Sequence, residues 1–175
     1  MKHRLASLLR DQSGMALVEF AMILPVLILL YAGSYQLTDA FSVYRKATAT
    51  ARTLADLTTQ STTLTNNDLA DIFTAARQVL SPYSSTPASM TITHITTNAA
   101  GVSKVDWSRT PTGNGYATGA VITLPGAIRQ NDTSIVMSEI TYQYTALILP
   151  SLLGSIPLSD KIYMNPRRSE KVTLK

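Results

Sequence analysis

The stretch that decides the fold is residues 13–33, SGMALVEFAMILPVLILLYAG. From Met15 onward almost every residue is apolar, and Glu19 is the only charged residue before Tyr35. About 20 apolar residues are enough for a helix to cross the hydrocarbon core of a bilayer. The stretch therefore predicts one membrane-spanning helix that carries a single carboxylate near its start.

The residues that flank this stretch predict its orientation. The preceding segment carries Lys2, Arg4 and Arg10 against Asp11. Basic residues before a span keep that end in the cytoplasm, so the rest of the chain is expected to be exported. A second apolar segment, residues 146–158, is interrupted by prolines and a glycine and is too short to span a bilayer.

Composition narrows the classes of function. A chain of 175 residues has room for one small domain beside the helix. Its net charge of +4 is small and scattered, which does not indicate nucleic-acid binding. The chain has no cysteine, and this excludes disulfides, thiolate metal sites and thiol catalysis.

Two ordinary interpretations of the apolar segment leave its carboxylate unexplained. The first is a cleaved signal peptide, because Ala-Gly-Ser at residues 32–34 suits a cut before Tyr35. The interior glutamate and Pro25 are unusual for such a peptide. The second is a plain uncleaved anchor, which gives no reason for Glu19.

A third interpretation accounts for the glutamate. If a peptidase cuts between Gly14 and Met15, the new α-amine of Met15 lies at the start of the helix. Glu19 then lies one helical turn further along, on the same face. A carboxylate in hydrocarbon is costly unless it is paired, and it is favoured near a helix N-terminus. The cut would supply the missing cation, either within the chain or on a neighbouring subunit.

This pattern resembles the processing site of type IV prepilins. Gly14 is followed by four apolar residues, then by Glu19 and Phe20, and soon by Leu24 and Pro25. The order is most similar to the TadE-like pseudopilins of the tight-adherence (Flp) pilus system. The length of the chain fits a minor pseudopilin of that system better than its far shorter major pilins.

The resemblance implies a non-enzymatic minor pseudopilin that primes or caps a tight-adherence pilus and serves adhesion. It assigns Gly14 and Met15 to processing, and Glu19, Phe20 and Pro25 to recognition and assembly. It implies a single-pass protein of the bacterial inner membrane with a periplasmic C-terminal domain. The implied partners are the prepilin peptidase, another minor pseudopilin, the major pilin and the inner-membrane assembly platform. No cofactor, metal ion, nucleic acid or small-molecule substrate is implied. The alternative left open is a soluble exported binding protein, released by cleavage before Tyr35.

The remaining sequence predicts an α+β domain. We divide the chain into a basic leader (residues 1–14), a transmembrane and stalk helix (15–60) and a periplasmic domain (61–175). A second helix is expected after Asn66 or Asn67, either of which can cap it. The apolar stripe of the stalk is expected to comprise Leu37, Phe41, Tyr44, Thr48, Ala51, Leu54 and Ala55.

Period-two patterns predict an antiparallel sheet after this helix. We expect strands at residues 89–97, 102–108, 116–124 and 134–148, with a hairpin turn at Asn114-Gly115 between the second and the third. One face of the sheet should pack on the helices and the other should face water. Residues 147–158 are expected to form an apolar loop, and a last strand is expected at 161–164 or 170–174.

The sequence offers little for catalysis. His94 is the sole candidate base in the predicted exported part, and it shares a strand face with Met90 and Ile92. A partly buried strand residue is the simpler interpretation of such a histidine, and Trp107 is expected to be part of the core. The acidic residues are dispersed and form no pair at a spacing that predicts acid–base chemistry.

Overall fold

A computed structural model describes residues 13–148 and 154–175 of the chain. The predicted basic leader therefore lies almost wholly outside the described residues, as do residues 149–153 of the predicted apolar loop. The fold divides into two compact units, with the boundary between Asp39 and Ala40.

Helix α1 comprises Ser13–Thr59, which confirms the predicted long N-terminal helix. Pro25 lies inside it and has no N–H to donate to the carbonyl of Ala21. Among the described residues, α1 is the one helix long and apolar enough to cross a membrane. None of its most apolar window is buried within the protein.

The unit that begins at Ala40 holds an antiparallel sheet, and with the helices it confirms the predicted α+β class. In the described part of the chain, five strands lie in the order β4-β3-β2-β5-β6. Their bounds are β2 Ala88–Thr97, β3 Ser103–Thr110, β4 Gly113–Asn114, β5 Thr133–Thr145 and β6 Ser155–Met164. The long interior strand β5 pairs with the central strand β2 along one edge and with the edge strand β6 along the other.

Two short strands tie the end of the chain to the end of α1. Strand β1 (Thr63–Leu64) pairs in parallel with β7 (Thr173–Leu174). The N–H of Thr173 donates to the carbonyl of Thr62 at 3.1 Å, and that of Lys175 donates to Leu64 at 2.9 Å. The C-terminal residues are therefore a structural part of this unit.

Helix α2 comprises Asn66–Val79 and is capped by Thr65 rather than by the predicted asparagines. The Thr65 hydroxyl accepts from the N–H of Asp68, whose carboxylate accepts from the N–H of Thr65. These reciprocal bonds form a capping box. The N–H of Thr65 and then its hydroxyl donate to the carboxylate of Asp68, and both hold the pKa of that carboxyl below its usual value. Threonine therefore outcompetes asparagine here because the acid three residues on completes the box.

The predicted stripe on α1 is right for its C-terminal part and wrong before it. Ala51, Leu54 and Ala55 are fully buried, the first two in the core that they share with the sheet, whereas Phe41 and Tyr44 are 60% and 39% exposed. Small residues determine which face of α1 packs on the sheet, because they let the helix backbone approach the sheet closely. The hydroxyl of Ser138 on β5 donates to the carbonyl of Ala51 at 2.6 Å.

The predicted hairpin turn at Asn114-Gly115 is wrong. The turn that joins β3 to β4 begins at Pro111, and Asn114 already pairs within β4. Gly115 passes so close to β3 that a Cβ atom there would lie 2.3 Å from the hydroxyl of Ser108. The glycine thus serves a close approach of the backbone, and the strand predicted at residues 116–124 is reduced to one isolated bridge.

The second face of the sheet, which the alternation of polar and apolar residues predicts to face water, is partly buried. Ile135 and Met137 on β5 pack with Ile95 and with Leu124, which follows the isolated bridge. Only the C-terminal half of β5 alternates between buried and exposed residues as expected. The predicted apolar loop is also shorter than expected, since β6 begins at Ser155.

The close approach of α1 to the sheet predicts the effect of an enlarged side chain. An Ala51→Leu variant should lower the free energy of unfolding by about 1–3 kcal/mol, because the extra carbons must displace the helix from β5. The measurement is chemical denaturation of the full chain in detergent, followed by the emission of the single tryptophan. Arg52→Leu, at an exposed neighbouring position, is the matched control and should change the stability little. An equal loss in both variants would contradict the close packing.

Candidate processing and assembly site

The candidate site lies in the first turns of α1, where one carboxylate stands among apolar side chains. Met15 and Glu19 are four residues apart in a continuous helix, so they lie about 6 Å apart along its axis and on one face. Glu19 is exposed on the helix surface. Residues 13–39, the described part of its unit, contain no Lys, Arg or His that could pair with its carboxylate.

The surroundings of Glu19 are suited to lipid or to other apolar helices rather than to water. Its neighbour Phe20 is 57% exposed. The helix then presents a nearly uninterrupted run of large exposed apolar side chains, namely Met22, Ile23, Leu24, Val26, Leu27, Ile28, Leu29 and Leu30. Burial of this surface by lipid or by partner helices is strongly favourable, and it would leave the carboxylate in a poorly solvated environment.

Gly14 is not required by the described fold. It lies within α1, and a Cβ atom added to it would have no neighbour within 4 Å. The described contacts therefore give no structural reason for a glycine at this position.

Pro25 lies one and a half turns after Glu19. The helix continues through it, so the carbonyl four residues earlier loses one backbone donor without ending the helix. The structure therefore places the predicted site residues, from Gly14 to Pro25, on one continuous helix.

The candidate base His94 lies elsewhere and is fully engaged by the protein. Its Nδ1 lies 2.9 Å from a carboxylate oxygen of Asp106, and its Nε2 accepts from the N–H of Val172 at 3.3 Å. The ring is 1% exposed and stacks on Trp107, whose indole N–H donates to the carbonyl of Val172 at 2.8 Å. Because a backbone N–H can only donate, Nε2 is an acceptor and the proton of the neutral ring lies on Nδ1.

These contacts give His94 a structural role. Burial lowers the pKa of its imidazole, an effect that the charge of Asp106 opposes. Neither ring nitrogen is available to a substrate while Val172 is in place. The expectation that Trp107 is part of the core is confirmed. Among the described residues, no group of three or more His, Asp or Glu side chains is placed to hold a metal ion.

The arrangement around Val172 could not be found from local sequence. The histidine lies 78 residues from Val172 and the tryptophan lies 65 residues from it. A histidine and a tryptophan on paired strands were visible as strand residues, but nothing nearby in the sequence indicated a shared backbone partner.

The N-terminal helix is also where the chain matches a known family. Residues 14–56 match the family model described as TadE-like protein. No curated protein and no solved structure is detectably similar to the chain. The matched segment begins at Gly14 and covers most of α1, and this family is associated with the Tad pilus and is not known as enzymatic. The resemblance predicted from Gly14, Glu19-Phe20 and Pro25 is thus confirmed, since residues 14–56 of the chain are similar to the TadE-like family.

Proposed function

We propose that this chain is a non-enzymatic minor pseudopilin that primes or caps a tight-adherence pilus after cleavage between Gly14 and Met15. It would be held as a single-pass protein of the bacterial inner membrane, with the residues that follow α1 in the periplasm. Its partners would be the prepilin peptidase, another minor pseudopilin, the major pilin and the inner-membrane assembly platform.

The observation that carries the proposal is an exposed apolar helix whose Glu19 carboxylate lies five residues after a glycine and has no cation within residues 13–39 to pair with. The TadE-like match begins at that glycine. Cleavage there would create an α-amine at the helix start, which is the position where a cation can pair with Glu19. An anchor that served only to hold a domain at the membrane would gain nothing from this carboxylate.

Assembly follows from the same chemistry. An unpaired carboxylate among apolar helices is costly, and a neighbouring subunit that supplies an amine relieves the cost. Glu19 would therefore favour one depth and register of the helix beside its neighbour, while Phe20 and the apolar run provide the contact surface. Pro25 would let the helix adjust where its backbone hydrogen bonding is already interrupted.

Fractionation separates this function from that of a released binding protein. The full chain is expressed in a bacterium that carries a complete tight-adherence pilus system. We expect the protein in the membrane fraction, resistant to alkaline extraction and soluble only in detergent, and cross-linked to pilus components. Recovery as a soluble exported protein that lacks the apolar helix would favour the alternative of a free binding module.

A further inference from the structure

The last residues of the chain form a strap over the sheet. We call residues 169–175 the C-terminal strap. Its centre is Val172, whose side chain is buried in the main core at 1% exposure. The two backbone polar groups of this residue are bound by two side chains, the N–H by His94 and the carbonyl by Trp107.

The remaining attachments of the strap do not change with protonation. The hydroxyl of Ser134 donates to the carbonyl of Glu170 at 2.5 Å. Further along, the backbone of the strap bonds to residues 62–64 in the short parallel pair. Each of these bonds joins neutral groups. Among the hydrogen bonds that hold Val172, the bond to His94 is therefore the one that a proton can alter.

Protonation would reverse the role of Nε2. In the neutral ring this nitrogen accepts the hydrogen of the Val172 N–H. In the imidazolium it carries its own hydrogen, and two donors would then face each other across 3.3 Å. The N–H of Val172 would lose its partner in a buried place, and an unsatisfied buried donor is costly.

We propose that His94 is a proton-operated latch, which holds the C-terminal strap when its ring is neutral and releases it when the ring is protonated. Release would lift Val172 from the core and undo the pairing of β7 with β1. It would expose the indole of Trp107 and leave the sheet in place.

The burial of the His94 ring and the charges around it determine whether the strap is released at low or at high pH. Asp106 on β3 favours the protonated ring, and Lys171 on the strap disfavours it. The residue opposite His94 on β5 is the apolar Val136. Burial is the largest effect and lowers the pKa of His94 below its ordinary value of 6.5. A released ring therefore binds a proton more readily than a latched one, so the latched state is fully favoured above about pH 6.5 and is lost as the pH falls towards the lower pKa.

The single tryptophan gives a direct reading of the latch. The full chain in detergent is titrated from about pH 8 to about pH 4, the range in which a histidine changes its charge. Trp107 emission, its quenching by acrylamide and far-ultraviolet circular dichroism are recorded together. We expect a red shift and increased quenching with a midpoint below pH 6.5, while the circular dichroism is almost unchanged.

Three results of this titration would overturn the proposal. Emission and quenching that stay constant mean that the strap does not move. A change in intensity without a change in acrylamide access means that the proton is accommodated in place. Loss of circular dichroism at the same midpoint means that the whole unit unfolds rather than the strap alone.

Charge variants test whether His94 is the titrating group. Asp106→Asn should lower the midpoint by about one pH unit, because it removes the opposite charge beside the ring. Lys171→Met should also lower the midpoint, because Lys171 disfavours the protonated ring only while the strap is latched, and without it the protonated latched state costs less. Lys175→Met, which removes an equal charge from the same strap, is the matched control and should leave the midpoint in place. His94→Gln should abolish the transition. If this last variant does not fold, the shifts of Asp106→Asn and Lys171→Met, measured against the Lys175→Met control, still decide the matter, and unshifted midpoints would refute the latch.

Discussion

A Glu19→Ala variant is expected to enter the membrane as the wild type does and to be depleted from assembled pili by at least about tenfold, the factor that corresponds to 1.4 kcal/mol. Insertion should be unaffected, because removal of a carboxylate makes the helix more apolar. Assembly should suffer because the α-amine of a neighbouring subunit loses its partner in a poorly solvated place. The measurement is quantitative immunoblotting of membrane and sheared-pilus fractions.

Two further variants separate charge from shape in this experiment. Glu19→Gln keeps the size and the hydrogen-bonding capacity but removes the charge, and it should fail nearly as badly as alanine. Ser34→Ala is the matched control, since this exposed hydroxyl bonds only to the carbonyl of Leu30 in its own helix, at 2.8 Å. Normal piliation by both Glu19 variants would show that charge pairing has no part in assembly.

The second large effect is expected at Gly14. A Gly14→Val variant should keep its leader, with cleavage slowed by about 100-fold or more, because a small misplacement of a scissile bond costs a factor of that order. The substitution should not disturb the fold, since a Cβ atom at this position meets nothing within 4 Å. The readout is the ratio of uncleaved to cleaved protein on a high-resolution gel, followed over time in cells that contain the peptidase.

Gly33→Val is the control for this variant. Gly33 lies in the same helix, and a Cβ atom there also has no neighbour within 4 Å. Any general effect of a β-branched residue on the helix should therefore appear in both variants. If the control slows cleavage as much as Gly14→Val does, the glycine is not recognised at the cut. If neither does, the cut does not occur after Gly14.

The parts of the fold that the sequence predicted well are those decided locally. Helix α1 follows from a long apolar run and ends at Thr59 as expected. Helix α2 follows from its apolar period and ends just before the Ser81-Pro82 pair. In both cases the signal lies within a few residues of the element that it predicts.

The parts that were missed depend on contacts distant in sequence. The packing phase of α1 was misplaced because large side chains such as Phe41 were favoured over alanines, whereas a close helix–sheet contact requires the alanines. The hairpin was misplaced because Asn114-Gly115 is also compatible with a close backbone approach to Ser108. The packing face of α1 and the position of the hairpin turn are both set by contacts with another strand, so local sequence does not predict them.

The candidate site could be predicted because its residues lie close together in the sequence. Gly14 and Glu19 stand five residues apart, and the reason for the carboxylate follows from one helical turn and the cost of a charge in hydrocarbon. The role of His94 was not predictable, because Val172 reaches it only through the path of the folded chain.

The mature N-terminus tests the central claim most directly. The protein is purified from the membrane and pilus fractions of a bacterium with a complete tight-adherence system, and its first residue is identified by mass spectrometry. We expect a chain that begins at Met15, which would place a free amine one turn before Glu19. A chain that begins at Tyr35, or one that keeps Met1, would contradict the account.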